Sequence, residues 1–582
     1  MCGICGKLIF GGKGDVTEDL MNKMTKTLVH RGPDDEGFFL KEYEGSGIKI
    51  GFGFRRLSII DLEGGHQPMC NENGKIWIVF NGQIYNFKEL RKDLIKYGHK
   101  FKTRSDTEVI IHSYEEFGEL CVEKFNGMFA FAIWDEEKRQ LFMARDRIGI
   151  KPLFYYIKNN SIIFSSEIKA ILQDEYVERK VDLEALNCYL AINYVLAPMT
   201  FISGVKSLLP GYYLIFKEGK SEIKQYWDLD FRNKLILKKD EYIERIEEHL
   251  KSAVKLRLVS DVPLGAFLSG GVDSSTIVSM MKEFITDKLK TFSIGFKEKS
   301  YNELEEANYA SKVFDTDHYG LIVTPEIEKL LPKLIWFNDE PLGDTSSIPM
   351  YFLSELARTH VTVSLSGDGG DENFAGYVTT LADKIAKYYR VVPELIRRKF
   401  IKNFVNLLPV SLSKVSFDYK VKQFVEGVEY FPEKSHYWWR VIFSDWERKS
   451  ILTSDVYNCL DNKDVFNYFK QYFDRYPELD IMDKYFYVDF KTWLADDILR
   501  KVDRTSMAHS LEARVPFLDH KFVEFTASIP CKLKLKGFRK KYIFKKSVEK
   551  RLPKKILYRK KQGFNSPISI WIKNDLKNVV TD

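Results

Sequence analysis

The stretch that most restricts how this chain can fold is Leu268-Ser269-Gly270-Gly271-Val272-Asp273-Ser274-Ser275. The apolar run Gly265-Ala266-Phe267-Leu268 before it predicts a short buried strand. After it, Ile277, Val278, Met280, Met281 and Phe284 recur at helical spacing and predict a helix over Thr276–Phe284. A strand that turns on paired glycines into a helix makes an anion site. Glycine admits backbone angles closed to other residues, and the N–H groups of a helix's first turn have no carbonyl within the helix to bond. The hydroxyls of Ser269, Ser274 and Ser275 add donors, and Asp273 can hold the magnesium that accompanies a polyphosphate. No lysine stands at the helix start, which separates this turn from the G-x-x-x-x-G-K-S/T loop and suits it to a released pyrophosphate rather than γ-phosphate transfer. The competing reading is an ordinary serine-rich cap after a strand.

Further along, strands and helices alternate: Thr291–Phe296, a helix over Leu304–Phe314, a strand near Tyr319–Val323, a helix over Ile348–Arg358, then Val361–Leu365. That rhythm predicts a parallel sheet with crossover helices. The last strand runs into Ser366-Gly367-Asp368-Gly369-Gly370-Asp371-Glu372, a second glycine turn with acidic residues. Ligands of open parallel sheets sit at the carboxyl ends of the strands, so both turns are expected on one crevice, where Asp273 and Asp371 can share magnesium.

At 582 residues, 45% of them hydrophobic, the chain predicts two domains with ample core. No apolar run is long enough to span a membrane and no signal-peptide order opens the sequence, so a cytoplasmic location is expected. Seven scattered cysteines do not form a disulfide framework, and Cys2 and Cys5 are a lone C-x-x-C without the partners of a zinc site. The net charge of +7 is local. Lys532 to Lys561 holds fifteen Lys/Arg against Glu549 alone, or +14, leaving 7 − 14 = −7 for the remainder. A solvated helix face, a polyphosphate pocket and a nucleic-acid patch are the three readings of that tract, the last the weakest.

The N-terminus supplies a second chemistry. Cys2 follows Met1, and removal of the methionine would place a thiol and a free α-amine on one residue, a nucleophile and base without histidine. Taken alone, an ordinary cysteine is the better reading. Four later segments support the other. His30-Arg31-Gly32-Pro33-Asp34 is a polar turn. Arg56, in Arg56-Leu57-Ser58-Ile59-Ile60-Asp61, ends a strand and can bind a substrate carboxylate. The strand Ile76–Phe80 ends in Asn81-Gly82-Gln83, whose amide and N–H are the donors an oxyanion needs. Asp106 begins a helix and can accept from a substrate ammonium. Together these meet the needs of a hydrolase for an amino-acid amide.

Met-Cys-Gly-Ile-Cys-Gly, His-Arg-Gly-Pro-Asp, Arg-Leu-Ser-Ile-Ile-Asp and Phe-Asn-Gly-Gln-Ile-Tyr-Asn resemble the N-terminal-nucleophile glutaminase domain of glutamine-hydrolysing asparagine synthetases. The Ser269 turn is similar to the loop of ATP-pyrophosphatase-type enzymes. The resemblance implies an α-β-β-α sandwich over residues 2–216, a linker over 217–235, with Gly219–Phe231 charged and aperiodic, and over 236–582 an α/β synthetase domain with a helical C-terminal part. Within the sandwich, the short strands Met128–Trp134, Leu141–Arg145, Leu153–Ile157 and Ile162–Ser165 are expected to form a β-meander. It also implies roles: Cys2, Asn81, Gly82, Asp368 and Lys561 in catalysis; Arg56, Ile59, Ile60, Asn81, Gly82, Gln83 and Asp106 around glutamine. Leu268, Ser269, Gly270, Gly271, Asp273, Ser274, Ser275, Ile294, Ser366 and Gly367 would lie around ATP, and Asp273 and Asp371 around Mg2+. ATP and Mg2+ are expected with no tightly bound organic cofactor, glutamine and aspartate as substrates, no membrane or nucleic-acid partner, and room for a homodimer. The charged patches Asp496–Arg504 and Glu512–Asp519 have counterparts in the family and read otherwise as buried ion pairs. Two positions depart from the family pattern. Asp368 stands where many members have glutamate, which leaves a different acceptor carboxylate, such as a cell-wall or surface-polysaccharide component, as the alternative to aspartate. Gln83 replaces the usual glutamate and predicts weaker glutamine binding. A nucleic-acid-modifying adenylase and an inactive binding protein are the readings from other classes.

Overall fold

A computed structural model describes residues 1–11, 14–324, 326–409, 416–560 and 563–573. The N-terminal half is built on twelve strands: β1 (Gly3–Phe10), β2 (Asp35–Tyr43), β3 (Ile48–Arg56), β4 (Met69–Cys70), β5 (Ile76–Ile84), β6 (Gly127–Asp135), β7 (Gln140–Arg145), β8 (Phe154–Lys158), β9 (Ser161–Ser165), β10 (Val205–Ser207), β11 (Tyr212–Lys217) and β12 (Lys220–Gln225). They form two six-stranded sheets in the orders β10-β8-β9-β1-β3-β2 and β12-β11-β7-β6-β5-β4. Period-2 alternation explains why the sheets stack. Along β6, Ala130, Ala132 and Trp134 meet Leu8, Phe52 and Phe54 of the facing sheet. Phe129, Phe131 and Ile133 point the other way, into a core shared with Val109 and Ile110 of the helix Asp106–Phe117. Met21 and Met24 of the helix Glu18–Lys26 cover the opposite outer face with Ile163. The layers are therefore helix, sheet, sheet, helix.

Three sequence expectations change here. The four strands between Met128 and Ser165 are two hairpins in different sheets, β6–β7 in one and β8–β9 in the other, rather than one meander. Local turn signals fix a hairpin, but which sheet receives it depends on distant strands. The charged stretch after Gly219 is strand β12, paired from Tyr212↔Gln225 to Lys217↔Lys220. An exposed edge strand needs no apolar alternation and its lysines protect the edge, so it reads as a linker. Asn81 and Gly82 lie within β5, paired with Ala130 and Phe129, not beyond its end.

The C-terminal half carries a parallel sheet of β13 (Leu264–Phe267), β14 (Lys290–Phe296), β15 (Asp317–Val323), β16 (Val363–Leu365) and β17 (Glu512–Arg514), in the order β15-β14-β13-β16-β17. Its crossover helices include Leu304–Phe314 and Ser347–Arg358. Sequence reading missed β17, a three-residue strand of polar composition. The helix after the first glycine turn spans Val272–Met281, so Asp273, Ser274 and Ser275 belong to its first turn and not to the loop. From Val378 onward the chain is mainly helical. No helix among the described residues is long and apolar enough to cross a membrane.

Buried ion pairs join the halves. The guanidinium of Arg31, wholly buried, donates to Asp503 at 2.8 and 3.1 Å, to Glu167 at 2.9 Å and to the Cys2 carbonyl at 3.1 Å. Arg504 reaches Glu167 at 2.8 Å, and Arg500 pairs with Glu340 at 2.9 Å. For most charges of the Asp496–Arg504 patch the ion-pair reading therefore holds. Removing one partner would strand a buried charge, a loss of about 3–5 kcal/mol.

Candidate functional site

Cys2 lies at the start of β1, 7% exposed, in a pocket lined by Met1, Arg56, Ile59, Ile60, Gly82, Gln83, Asp106 and Glu512. Every residue expected around glutamine lines this pocket except Asn81, which touches Cys2 itself: Cys2 N–H donates to Asn81 Oδ1 at 2.9 Å. That bond fixes the Asn81 side chain. Its Nδ2 is buried and has no hydrogen-bond partner among the described residues. A buried donor without a partner costs about 1–3 kcal/mol and is tolerated where a ligand supplies the acceptor. Gly82 is required by its surroundings: at φ +155° its added Cβ would lie 2.1 Å from the Met128 carbonyl oxygen.

Burial dominates the electrostatics of the Cys2 thiol and favours its neutral form. Burial raises the Cys2 thiol, while the N-terminal ammonium, the Leu57 N–H and Arg56 pull it back. Arg56 spends three bonds on the carbonyls of Ile60, Asp61 and Leu62, at 3.2, 2.6 and 2.9 Å, which holds its guanidinium at the pocket wall. Asp106 Oδ2 accepts from Gln83 Nε2 and from Ile84 N–H, both at 2.8 Å. Burial pushes this carboxyl up to about 7 against those bonds. Gln83 thus fixes the orientation of the Asp106 carboxyl at the pocket wall. Cys5 is no companion to Cys2: it lies behind the sheet, among Met21 and Leu28, its Sγ 3.6 Å from the Gly53 carbonyl. Residues three apart on a strand point to opposite faces, which excludes a metal pair.

Sequence reading missed Glu512. It belongs to the C-terminal half, yet it lines the Cys2 pocket and pairs with the α-ammonium of Met1 at 3.2 Å. Arg514, 2.6 Å from its other oxygen, and the Met1 ammonium hold it ionised against complete burial. No local signal distinguishes Glu512 from the other acid of its patch. Its importance follows from the docking of the two halves.

The second constellation occupies the carboxyl ends of β13 and β16. Gly270 has φ +70°, and an added Cβ would come within 2.5 Å of the Glu306 carbonyl oxygen. In the turn, Ser269 N–H donates to Ser274 Oγ at 3.2 Å and Gly271 N–H to Ser269 Oγ at 3.3 Å. Leu268 N–H donates to the Phe292 carbonyl at 2.8 Å, and Ile294 lies farther along the same neighbouring strand. The Ser366 turn abuts the helix start: a Cβ on Gly367 would lie 3.0 Å from Ser274 N, and one on Gly370 2.8 Å from Asp273 Oδ1. Asp368 Oδ2 accepts from Ser366 Oγ at 2.6 Å. The structure therefore brings both glycine turns together on one crevice.

Between Asp273 and Asp371 stands Lys541. Its Nζ lies 2.6 Å from Asp273 and 2.7 Å from Asp371. Burial opposes its charge, but the two carboxylates hold its ammonium well above the ordinary lysine range. Two acids converging on one cation are a donor set that also fits magnesium. Arg559 donates to the Ser269 carbonyl at 2.9 Å and to Glu303 at 2.8 Å. Part of the basic tract is thus folded against the phosphate turn, while Lys534 is buried over Phe486 and lowered by desolvation to about 7. Lys561, expected near the activated intermediate, lies outside the described residues.

Similarity to known proteins covers both constellations. A family model described as asparagine synthase matches residues 245–582, and one described as glutamine amidotransferase domain matches residues 1–227. The chain is 37% identical over 567 residues to the glutamine-hydrolyzing asparagine synthetase 1 of Bacillus subtilis, covering 97% of this chain and 86% of that protein. It is 43% identical over 420 residues to a putative glutamine-hydrolyzing asparagine synthetase 2 of Methanocaldococcus jannaschii, covering 68% of this chain and 79% of the other. Synthetase 3 of Bacillus subtilis is 32% identical over 593 residues, 97% of this chain and 87% of its own length.

Proposed function

We propose that this chain, which belongs to the asparagine synthase family, moves the amide nitrogen of glutamine onto the side-chain carboxylate of aspartate, as a glutamine-dependent ligase that consumes ATP. The observation that carries the reading is the Cys2 pocket, where a buried Asn81 Nδ2 without a partner stands beside the nucleophile. After removal of Met1, the α-amine of Cys2 takes the thiol proton, and the thiolate attacks the side-chain carbonyl carbon of glutamine. Asn81 Nδ2 and Gly82 N–H receive the developing oxyanion. The protonated amine returns its proton to the leaving nitrogen, ammonia departs, and water cleaves the thioester to glutamate. Arg56 holds the substrate α-carboxylate and Asp106, oriented by Gln83, its α-ammonium.

In the second site the aspartate carboxylate attacks the α-phosphorus of ATP and pyrophosphate leaves. The first-turn N–H groups of the helix Val272–Met281 and the Ser269 hydroxyl would bind it. Asp273 and Asp371 would hold Mg2+, which would supply neutralisation of the polyphosphate charge; the Lys541 ammonium, which lies between the two carboxylates, would have to move aside for it. Ammonia attacks the acyl-adenylate carbonyl, a base takes the proton it sheds, and AMP leaves. Asp368, on the Ser366 turn, is assigned to that proton or to orienting the acceptor.

A pyrophosphate-release assay over a panel of carboxylates tests this, with amide product measured in parallel. Release and asparagine formation with aspartate are expected. Asp368, shorter by one methylene than the glutamate of many relatives, favours a second reading with a bulkier acceptor. Release without aspartate but with a larger carboxylate would replace the first reading by the second.

A further inference from the structure

The outer helix layer of the N-terminal half carries a cluster of titratable side chains that glutamine hydrolysis does not use. His99 precedes the helix Asp106–Phe117, and His112 lies on it, the two rings 4.7 Å apart between centroids. Glu72, from the turn between β4 and β5, faces both: one ligand atom each from Glu72, His99 and His112 lie within 4.8 Å of one another. Glu115 stands at the centre of the group. Its Oε2 is 2.6 Å from His112 Nδ1 and 3.6 Å from His99 Nδ1. Its other oxygen accepts from Asn71 Nδ2 at 2.7 Å, which fixes the carboxylate from behind.

The direction of the imidazoles is the informative feature. Both Nδ1 atoms face Glu115, and Glu72 Oε2 lies 4.0 Å from that of His112. Both Nε2 atoms turn away: that of His99 meets Glu116 at 2.8 Å, while that of His112 lies 3.8 Å from Glu108, beyond hydrogen-bond reach, and has no hydrogen-bond partner among the described residues. Imidazoles that bind a metal through one nitrogen are usually backed by a carboxylate on the other, which fixes the tautomer and raises basicity. Two imidazole nitrogens with two carboxylate oxygens are a tetrahedral donor set for a borderline divalent ion. Burial disfavours a charged His112, yet the bond to Glu115 and the nearby carboxylates of Glu108 and Glu72 carry it up to about 9. A cation bound at Nδ1 would replace that proton.

We propose that Glu72, His99, His112 and Glu115 form a structural site for a divalent transition-metal ion of the zinc class. The ion would clip the His99 loop to the helix that begins at Asp106. Glu108 already ties that loop to the same helix by accepting from Lys102 and Thr103 N–H, each at 2.7 Å. The site therefore braces the wall of the glutamine pocket without touching its chemistry.

The test uses the full chain, stripped with a chelator and kept in excess Mg2+ to occupy Asp273 and Asp371. Co2+ titration is expected to give the visible bands of a four-coordinate nitrogen–oxygen site at one ion per chain, displaced by Zn2+. Binding should strengthen as pH rises and His112 loses its proton more easily. Zn2+ should also raise the melting temperature of the parent. His99→Gln, at a partly exposed residue, should abolish the bands and the thermal shift, and Glu72→Gln, which removes a ligand itself, should weaken Zn2+ by more than the roughly 10–100-fold that loss of a group behind a ligand costs. Sulfur-to-cobalt charge-transfer bands, unchanged binding in His99→Gln, or no bands at all would each overturn the proposal and leave the cluster a network of ion pairs.

Discussion

The two sites of this protein solve opposite electrostatic problems. Around Cys2 the groups nearest the thiol are buried and uncharged or poised, namely a thiol raised by desolvation, a carboxyl near 7 and an amide donor left without an acceptor, while the charges at the wall, Glu512 and the Met1 ammonium, cancel in a pair. Around Asp273 the groups are fully charged, and the Lys541 ammonium balances two carboxylates. The first site is preorganised, because its parts lie on paired strands and substrate fills vacant donors. The second holds an internal ion pair that an incoming polyphosphate and its cation must rearrange. A buried pocket whose charges are paired suits covalent chemistry on an amide, and a charged crevice suits a polyanion.

Replacing either centre should give the largest effect and separates the two regions. Cys2→Ala is expected to abolish glutamine-dependent amide formation and to spare amidation from ammonium salts. Asp273→Asn should do the reverse, stopping pyrophosphate release while glutamate is still produced from glutamine. Loss of both activities in either variant would show that the regions do not work separately. Asp368→Asn should lower amide formation by about 10²–10⁴-fold, the range for a lost proton-transfer group. A variant as fast as the parent would leave Asp368 a turn residue. Asn81→Ala should reduce glutaminase turnover by about 10²–10³-fold with ammonium-dependent synthesis unchanged, since only the oxyanion loses a donor. Equal loss with ammonium would contradict the assignment of Asn81 to the first site alone.

The smallest effect is in pH. The folded value of Asp106 is raised to about 7, so this acid is protonated below that pH and ionised above it. Only the ionised form accepts from a substrate ammonium. The KM for glutamine should therefore rise as pH falls through 7, by up to about tenfold per unit, while the KM for aspartate stays level. Asp106→Asn should raise the glutamine KM and flatten its pH profile. A parent profile already flat between pH 6 and 8, an interval of about one unit either side of that value, would remove Asp106 from the ammonium site.

Much of this was legible in the chain because both sites are built on local motifs. The glycine turn after Phe267 sets the phosphate site by backbone freedom and helix geometry, which act over a few residues. Strand alternation and the Ser105–Asp106 helix start likewise announce themselves in neighbouring positions. What the sequence could not determine is which local pieces meet. Hairpins β6–β7 and β8–β9 look alike in sequence, and only packing across the sandwich sends them to different sheets. Strand β12 carries no apolar signal because an edge needs none. Lys541 is one cation in a basic tract of many, and Glu512 one of the two acids in its patch. Tertiary structure alone brings Lys541 onto Asp273, 268 residues away, and Glu512 onto Met1, 511 residues away. Charges choose partners by distance and burial in the folded state, and neither quantity is written in the local order of residues.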